Sequence, residues 1–128
     1  MEFTLTTIIA TSPELIYEAW LSSEKHTAMT GGEAIVSDKI NDTFSAWDGY
    51  ISGKNIELES GKRIVQSWRT VQFEEDEVDS QIEILLSEKD GDTELTLIHT
   101  KVPESGEHYK KGWDDSYFQP MKDYFNKK

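Results

Sequence analysis

The apolar positions of this chain change their period twice. Residues 3–10 are rich in β-branched side chains with partial alternation and stop at Thr11-Ser12-Pro13, which predicts a first strand. Ser12 before Pro13 suits a helix N-cap with proline at the first helical position, while Thr11 to Glu14 also fits the spacing of a capping box one residue earlier. In either register Leu15, Ile16, Ala19 and Trp20 then form one apolar stripe, with Glu14 and Glu18 turned to water. A short second helical segment is predicted over 22–29, closed by Gly31-Gly32.

After the glycines the period becomes two. Strands are predicted over 33–37, 43–47, 50–59, 62–70, 78–87 and 93–102. Asp48-Gly49, Ser60-Gly61 and Asp90-Gly91-Asp92 supply hairpin turns, because glycine and aspartate tolerate the positive φ that tight antiparallel turns need. Consecutive hairpins make an antiparallel meander. Ile56, Leu58, Ile64, Trp68, Ile82, Ile84, Leu86, Leu95 and Leu97 fall on its apolar face, and Glu57, Glu59, Arg63, Glu83 and Glu94 on the other.

An apolar sheet face needs a cover, and residues 105–127 provide it. Tyr109, Trp113, Tyr117, Met121, Tyr124 and Phe125 recur at spacings of three and four, which predicts a long amphipathic helix. Pro120 lies inside it, lacks the N–H for an α-helical hydrogen bond, and predicts a bend near 116–119. The arrangement is α+β: one strand, two short helices, an antiparallel sheet of about six or seven strands in all, and a terminal helix packed across it, in one domain over residues 1–128.

Composition narrows the function. The 25 acidic against 13 basic residues give a formal charge of −12, spread over both halves, a field that opposes nucleic acid and anionic lipid as partners. With no cysteine, disulfides, thiolate-held metals and thiol catalysis are excluded. The N-terminal residues show no signal-peptide pattern and no apolar run is long enough to span a membrane, so the expected location is cytoplasmic. The acidic run 74–79 lacks the alternating ligands and central glycine of a calcium loop and reads as a solvated connection.

Catalytic patterns are scarce. His26, His99 and His108 lie on different predicted elements with no metal-ligand spacing, and no metal or cofactor is expected. Ser52, within Gly49-Tyr50-Ile51-Ser52-Gly53, is misplaced for a nucleophile elbow. Glycine-rich phosphate loops are absent. Trp20, Trp47, Trp68 and Trp113, with Phe118 and Tyr124, suit either plain core or the lining of a ligand cavity.

The stretch Phe44-Ser45-Ala46-Trp47-Asp48-Gly49-Tyr50-Ile51-Ser52-Gly53, then Ile56-Glu57-Leu58 and Lys62-Arg63-Ile64-Val65-Gln66-Ser67-Trp68-Arg69, resembles the family of heat-shock protein 90 ATPase activator homologues. The pattern continues through Asp92-Thr93-Glu94-Leu95, Val102-Pro103-Glu104, Gly112-Trp113 and Tyr117-Phe118-Gln119-Pro120-Met121-Lys122, covering essentially the whole chain in order. The likeness is to the C-terminal domain of activators that carry a separate N-terminal domain. It implies a START-like, helix-grip fold, in which the space between helix and sheet often holds apolar small molecules. Where the family often has a Trp-Pro pair, this chain has Gln72-Phe73-Glu74-Glu75-Asp76, so a contact that depends on that loop does not carry over.

Three functional expectations result. The first is a non-catalytic binding protein, a monomer or weak dimer, whose partner is either a chaperone or an apolar small molecule. Its cavity is expected between Ile56, Leu58, Trp68, Ile84 and Leu97 on the sheet and Trp113, Tyr117 and Met121 on the helix, with His99 as a polar group within it. A chaperone would meet the surface of residues 48–54 and the exposed side of 62–69. The second is a START-like enzyme, a cyclase or hydrolase type, using polar groups such as His99, Tyr109 or Arg69 in an apolar pocket. The third is an acidic interaction module for a basic partner.

Overall fold

The computed structural model describes residues 1–126. Strand β1 (Phe3–Ile9) leads into helices α1 (Pro13–Trp20) and α2 (Ser23–Thr30), followed by strands β2 (Thr43–Ala46), β3 (Ile51–Glu59), β4 (Arg63–Thr70), β5 (Ser80–Lys89) and β6 (Asp92–Thr100). The six strands form one antiparallel sheet in the order β1-β6-β5-β4-β3-β2. Because β1 and β2 occupy opposite edges, α1, α2 and the following loop carry the chain from one side of the sheet to the other.

The helix starts follow from the serines. Ser12 Oγ accepts from Leu15 N at 3.3 Å with Pro13 in the first turn, and Ser22 Oγ accepts from Lys25 N at 3.3 Å. Ile16, Ala19 and Trp20 of α1 are buried, whereas Leu15, expected in the same stripe, is 42% exposed at its margin. The β5–β6 hairpin turns on Asp90 and Gly91, both at positive φ, the conformation that lets a two-residue loop match the strand twist. Ile82, Ile84, Leu86, Leu95 and Leu97 alternate inward as their spacing predicts.

Three expectations are corrected. Residues 33–37 do not form a strand; Ile35 makes one isolated bridge to Ser45, and the segment is held by side chains, with Thr27 Oγ1 accepting from Ala34 N and Ser23 Oγ from Val36 N, both at 2.9 Å. Strand β5 begins at Ser80, leaving Val78 74% exposed in the preceding loop. Ile56 does not face the core. The β3–β4 register shifts between Asn55 and Glu57, a bulge that turns Asn55 inward and leaves Ile56 36% exposed and Leu58 half-buried. Asn55 is tied down from all sides: Trp20 Nε1 donates to Gln66 Oε1 at 3.2 Å, Gln66 Nε2 donates to Asn55 Oδ1 at 2.8 Å, and Asn55 Nδ2 donates to the carbonyls of Ser37 and Lys39.

The terminal helix is long and bent but not uniform. A 3₁₀ turn (Glu104–Gly106) precedes α3 (His108–Trp113), a π-helical segment (Asp114–Phe118) and α4 (Gln119–Asn126); Lys127, the expected end, lies outside the described residues. Tyr109, Trp113, Tyr117, Met121 and Phe125 are all buried, four residues apart at each step. In a regular α-helix each such step overshoots a full turn by about 40°, so the last ring would swing well off the first. The wider π segment, in which Gln119 N donates to Asp114 O, takes back part of that drift and keeps the stripe on the sheet. It also opens the backbone just before Pro120, which has no N–H to give to the Ser116 carbonyl.

Candidate functional site

A cavity of about 400 Å³ lies between the start of the terminal helix, the β2–β3 turn and the end of β4. The turn is unusually wound. Trp47, Asp48 and Gly49 all have positive φ, and Tyr50 N closes it by donating to Trp47 O at 3.1 Å. Asp48 clamps it to the loop after α2: Asp48 N donates to Glu33 O at 3.0 Å, and Glu33 N to Asp48 Oδ1 at 3.1 Å. A Cβ on Gly32 would come within 2.4 Å of Trp47 Cε3, so only glycine lets the indole lie against this backbone. The clamp thereby holds Trp47 and Tyr50 over the helix.

Trp68 and Trp113, 5.6 Å apart between ring centroids, and Tyr109, 5.0 Å from Trp68, form the deep wall. Tyr117, 4.9 Å from Trp113, continues it, with Ile51, His108, Gly112 and Ser116 nearer the mouth. At the mouth, Tyr50 Oη donates to Gln72 Oε1 at 2.5 Å, and the same oxygen lies 3.0 Å from His108 Nε2.

The polar tips of Tyr109, Trp113 and Tyr117 are turned away and satisfied. Tyr109 Oη shares a 2.5 Å hydrogen bond with Thr70 Oγ1. His26 Nδ1 donates to Trp20 O at 2.8 Å, which leaves Nε2 to accept from the Tyr117 hydroxyl at 3.1 Å. Burial pushes the Tyr117 pKa up, against the smaller opposing effect of the nearby Trp47 N–H, which is itself buried outside hydrogen-bond geometry. Tyr109 is pushed up as well, first by burial and further by the neighbouring Tyr50 and Glu77.

His99 sits behind Trp113. Trp113 Nε1 donates to His99 Nδ1 at 3.1 Å, so the ring proton resides on Nε2, which donates to Ser80 Oγ at 2.8 Å; Ser80 in turn donates to Trp68 O at 2.7 Å. The Ser80–His99 distance is that of a nucleophile and its base, but every proton runs the wrong way for that chemistry. Burial also lowers the His99 pKa to about 3, too low for a base near neutral pH, and both side chains are sealed from solvent. Arg69 is engaged too, donating to Asp79 Oδ1 at 2.6 Å and Glu74 O at 2.8 Å with its guanidinium over the Phe73 ring. Among the described residues no group of three or more His, Cys, Asp or Glu side chains is placed to hold a metal ion.

Of the residues expected around the cavity, Trp68, Trp113 and Tyr117 line it. Ile84, Leu97, Met121 and His99 are sealed in the core behind it, while Ile56 and Leu58 lie away from it on the bulged strand. Trp47 does line it, whereas Trp20 and Phe118 are core and Tyr124 flanks a separate, smaller pocket beside Leu15 and Lys25. The spacing rules did not single out Tyr50 or His108. Their one signal is position: Tyr50 is the ring that follows Asp48-Gly49, and His108 precedes the first aromatic of the helical stripe.

Comparison with known proteins agrees with this architecture. Residues 10–126 match the family model described as activator of Hsp90 ATPase homolog 1-like protein. The human activator of 90 kDa heat shock protein ATPase homolog 1 is 30% identical over 125 residues, which is 97% of this chain and 37% of that protein. The chain therefore spans little more than a third of the length of such relatives. The crystal structure of PFC0360w, an HSP90 activator from Plasmodium falciparum, superposes with a TM-score of 0.89 at 24% identity, over 98% of this chain and 96% of that one. The Aha1 dimer from Colwellia psychrerythraea gives 0.82 at 17% identity, over 98% and 96%. Among the described residues no helix is long and apolar enough to cross a membrane.

Proposed function

We propose that this chain, which belongs to the activator of Hsp90 ATPase homolog 1-like family, is a non-catalytic protein that binds a 90 kDa heat-shock chaperone and alters its ATP turnover. The observation that carries this reading is the family match over residues 10–126, joined to relatives named as activators of that ATPase along nearly all of this chain. The internal chemistry is consistent with it. The buried His26, His99, Ser80 and Tyr117 are committed to hydrogen bonds that hold the terminal helix to the sheet and to α2, and α2 to the end of α1.

The docking surface is the β2–β3 turn with the outward side of β3 and β4, residues 48–54 and 62–69. The Glu33–Asp48 clamp gives that turn a fixed shape before any partner arrives, which lowers the ordering cost of association. Amide chemical-shift mapping with the host's own 90 kDa chaperone tests the placement. Shifts concentrated at 48–54 and 62–69 are expected, and shifts confined to the β1 edge would reject it.

A second role has its own observation. The aromatic cavity of about 400 Å³ has the size of a small-molecule site, and we assign it to a ligand with an apolar body.

A further inference from the structure

We propose that this cavity selects an organic cation, a quaternary or fully alkylated ammonium on a small apolar body, over neutral or anionic molecules of the same shape. The inference rests on the reading of the cavity as a ligand site and names the chemical class it takes. Three observations carry it.

The first is the wall. Trp47, Tyr50, Trp68, Tyr109, Trp113 and Tyr117 surround the space, and Ile51 is the one aliphatic side chain among them. Aliphatic walls accept any apolar group, whereas the electron-rich faces of tryptophan and tyrosine attract a cation. The second is the fate of the polar tips. The hydroxyls of Tyr50, Tyr109 and Tyr117 and the indole N–H of Trp113 are used by Gln72, Thr70, His26 and His99, while the Trp47 N–H is buried without a partner. The tyrosine hydroxyls and the Trp113 N–H are thus withdrawn from recognition, and the ring surfaces make up most of what a ligand meets. The third is the field. No lysine or arginine lines the cavity among the described residues, the loop that supplies Gln72 to its mouth continues into Glu74, Glu75, Asp76 and Glu77, and Glu77 is near enough to influence the Tyr109 hydroxyl. The whole chain adds a formal charge of −12. A fatty acid would meet repulsion there, and an ammonium would be drawn in.

Gly112 provides a clean block. A Cβ there meets nothing within 4 Å, although the residue borders the cavity, so Gly112→Leu fills the space from a helical position without a clash at its base. The test titrates the 128-residue chain with three probes of matched shape: choline, its neutral carbon isostere 3,3-dimethyl-1-butanol, and the anion 3,3-dimethylbutyrate. Binding is followed by the indole N–H signals of the four tryptophans.

Choline should move the Trp47, Trp68 and Trp113 signals and bind about tenfold or more tightly than the alcohol, with the anion weakest. Gly112→Leu should abolish the shifts while leaving the protein folded, and Glu77→Gln should weaken choline alone. Equal or tighter binding of the alcohol would overturn the cation assignment while keeping an apolar site. No shift with any probe up to roughly 100 mM would overturn both, since even a weak millimolar complex would be saturated there. Unchanged choline binding in Gly112→Leu would place the site elsewhere and overturn the proposal. None of these outcomes bears on chaperone binding, which is measured separately.

Discussion

Trp113 Nε1 donates to His99 Nδ1 at 3.1 Å, a single hydrogen bond that joins the terminal helix to strand β6 behind the cavity and determines which nitrogen of the imidazole carries its proton. The rest of the buried chain follows: His99 to Ser80, Ser80 to Trp68 O, each donor used once. The pair is the hinge of the helix's grip on the sheet.

Replacing Trp113 therefore separates packing from polarity. Trp113→Ala should cost about 3 to 5 kcal/mol through lost burial and a residual cavity, a large fraction of a domain's stability. Trp113→Phe keeps most of the ring but strands His99 Nδ1 without a donor, and should cost about 1 to 3 kcal/mol. Urea unfolding reads both. Equal stability of Trp113→Phe and the parent would mean that the hydrogen bond holds nothing.

The same network predicts an acid response. The His99 pKa is lowered from the ordinary 6.5 to about 3 by burial, and His26 is lowered for the same reason, opposed by its bond to Trp20. Above pH 6.5 these imidazoles are neutral in folded and unfolded chains alike, and their contribution is flat. Below it the unfolded chain takes up protons that the folded chain refuses, so stability falls as pH drops from 6.5 towards 3, by up to about 1.4 kcal/mol per pH unit for His99. Denaturant midpoints between pH 7.5 and 5 test this window before most carboxylates protonate. A midpoint that stays level or rises on acidification would contradict it.

Two glycines should respond in opposite directions. At Gly53 a Cβ would lie 1.9 Å from the Ser67 carbonyl oxygen, where β3 crosses close to β4. Gly53→Ala must push the strands apart and should lower stability by roughly 1 to 3 kcal/mol. At Gly112 a Cβ enters open space inside α3, and Gly112→Ala should raise stability by about 0.5 to 1 kcal/mol through helix propensity alone. Thermal unfolding of the two variants, side by side, checks both signs.

How far these features could be read from residues alone depends on what positions them. The hairpin turns and the inward residues of β5 and β6 were legible, because local turn chemistry and a one-sided core impose a period of two. Ile56 was misplaced because alternation carries no sign of a bulge; the inward position is taken by Asn55, whose partners Gln66, Ser37 and Lys39 lie far off in sequence. Residues 33–37 have strand-like composition but are held by serine and threonine side chains that strand propensity does not weigh. In the cavity, Trp68, Trp113 and Tyr117 followed from the helical stripe and the sheet face. Tyr50 and His108 did not, since only the tertiary meeting of the β2–β3 turn, Gln72 and the start of α3 brings them together. Pro120 signalled a bend but not its form, a π turn that depends on holding five side chains, four of them aromatic, against one sheet.

If the chain acts on a chaperone, it does so through the clamped turn. The most direct measurement is the steady-state ATP turnover of the host's 90 kDa heat-shock protein as the chain is added to saturation, alongside the variant Asp48→Ala, which removes the Oδ1 acceptor of the clamp. A change in turnover of roughly twofold or more is expected with the parent chain, equal to ~0.4 kcal/mol or more in activation free energy, and a clearly weaker effect with Asp48→Ala. Turnover that stays constant at saturating parent chain would contradict it.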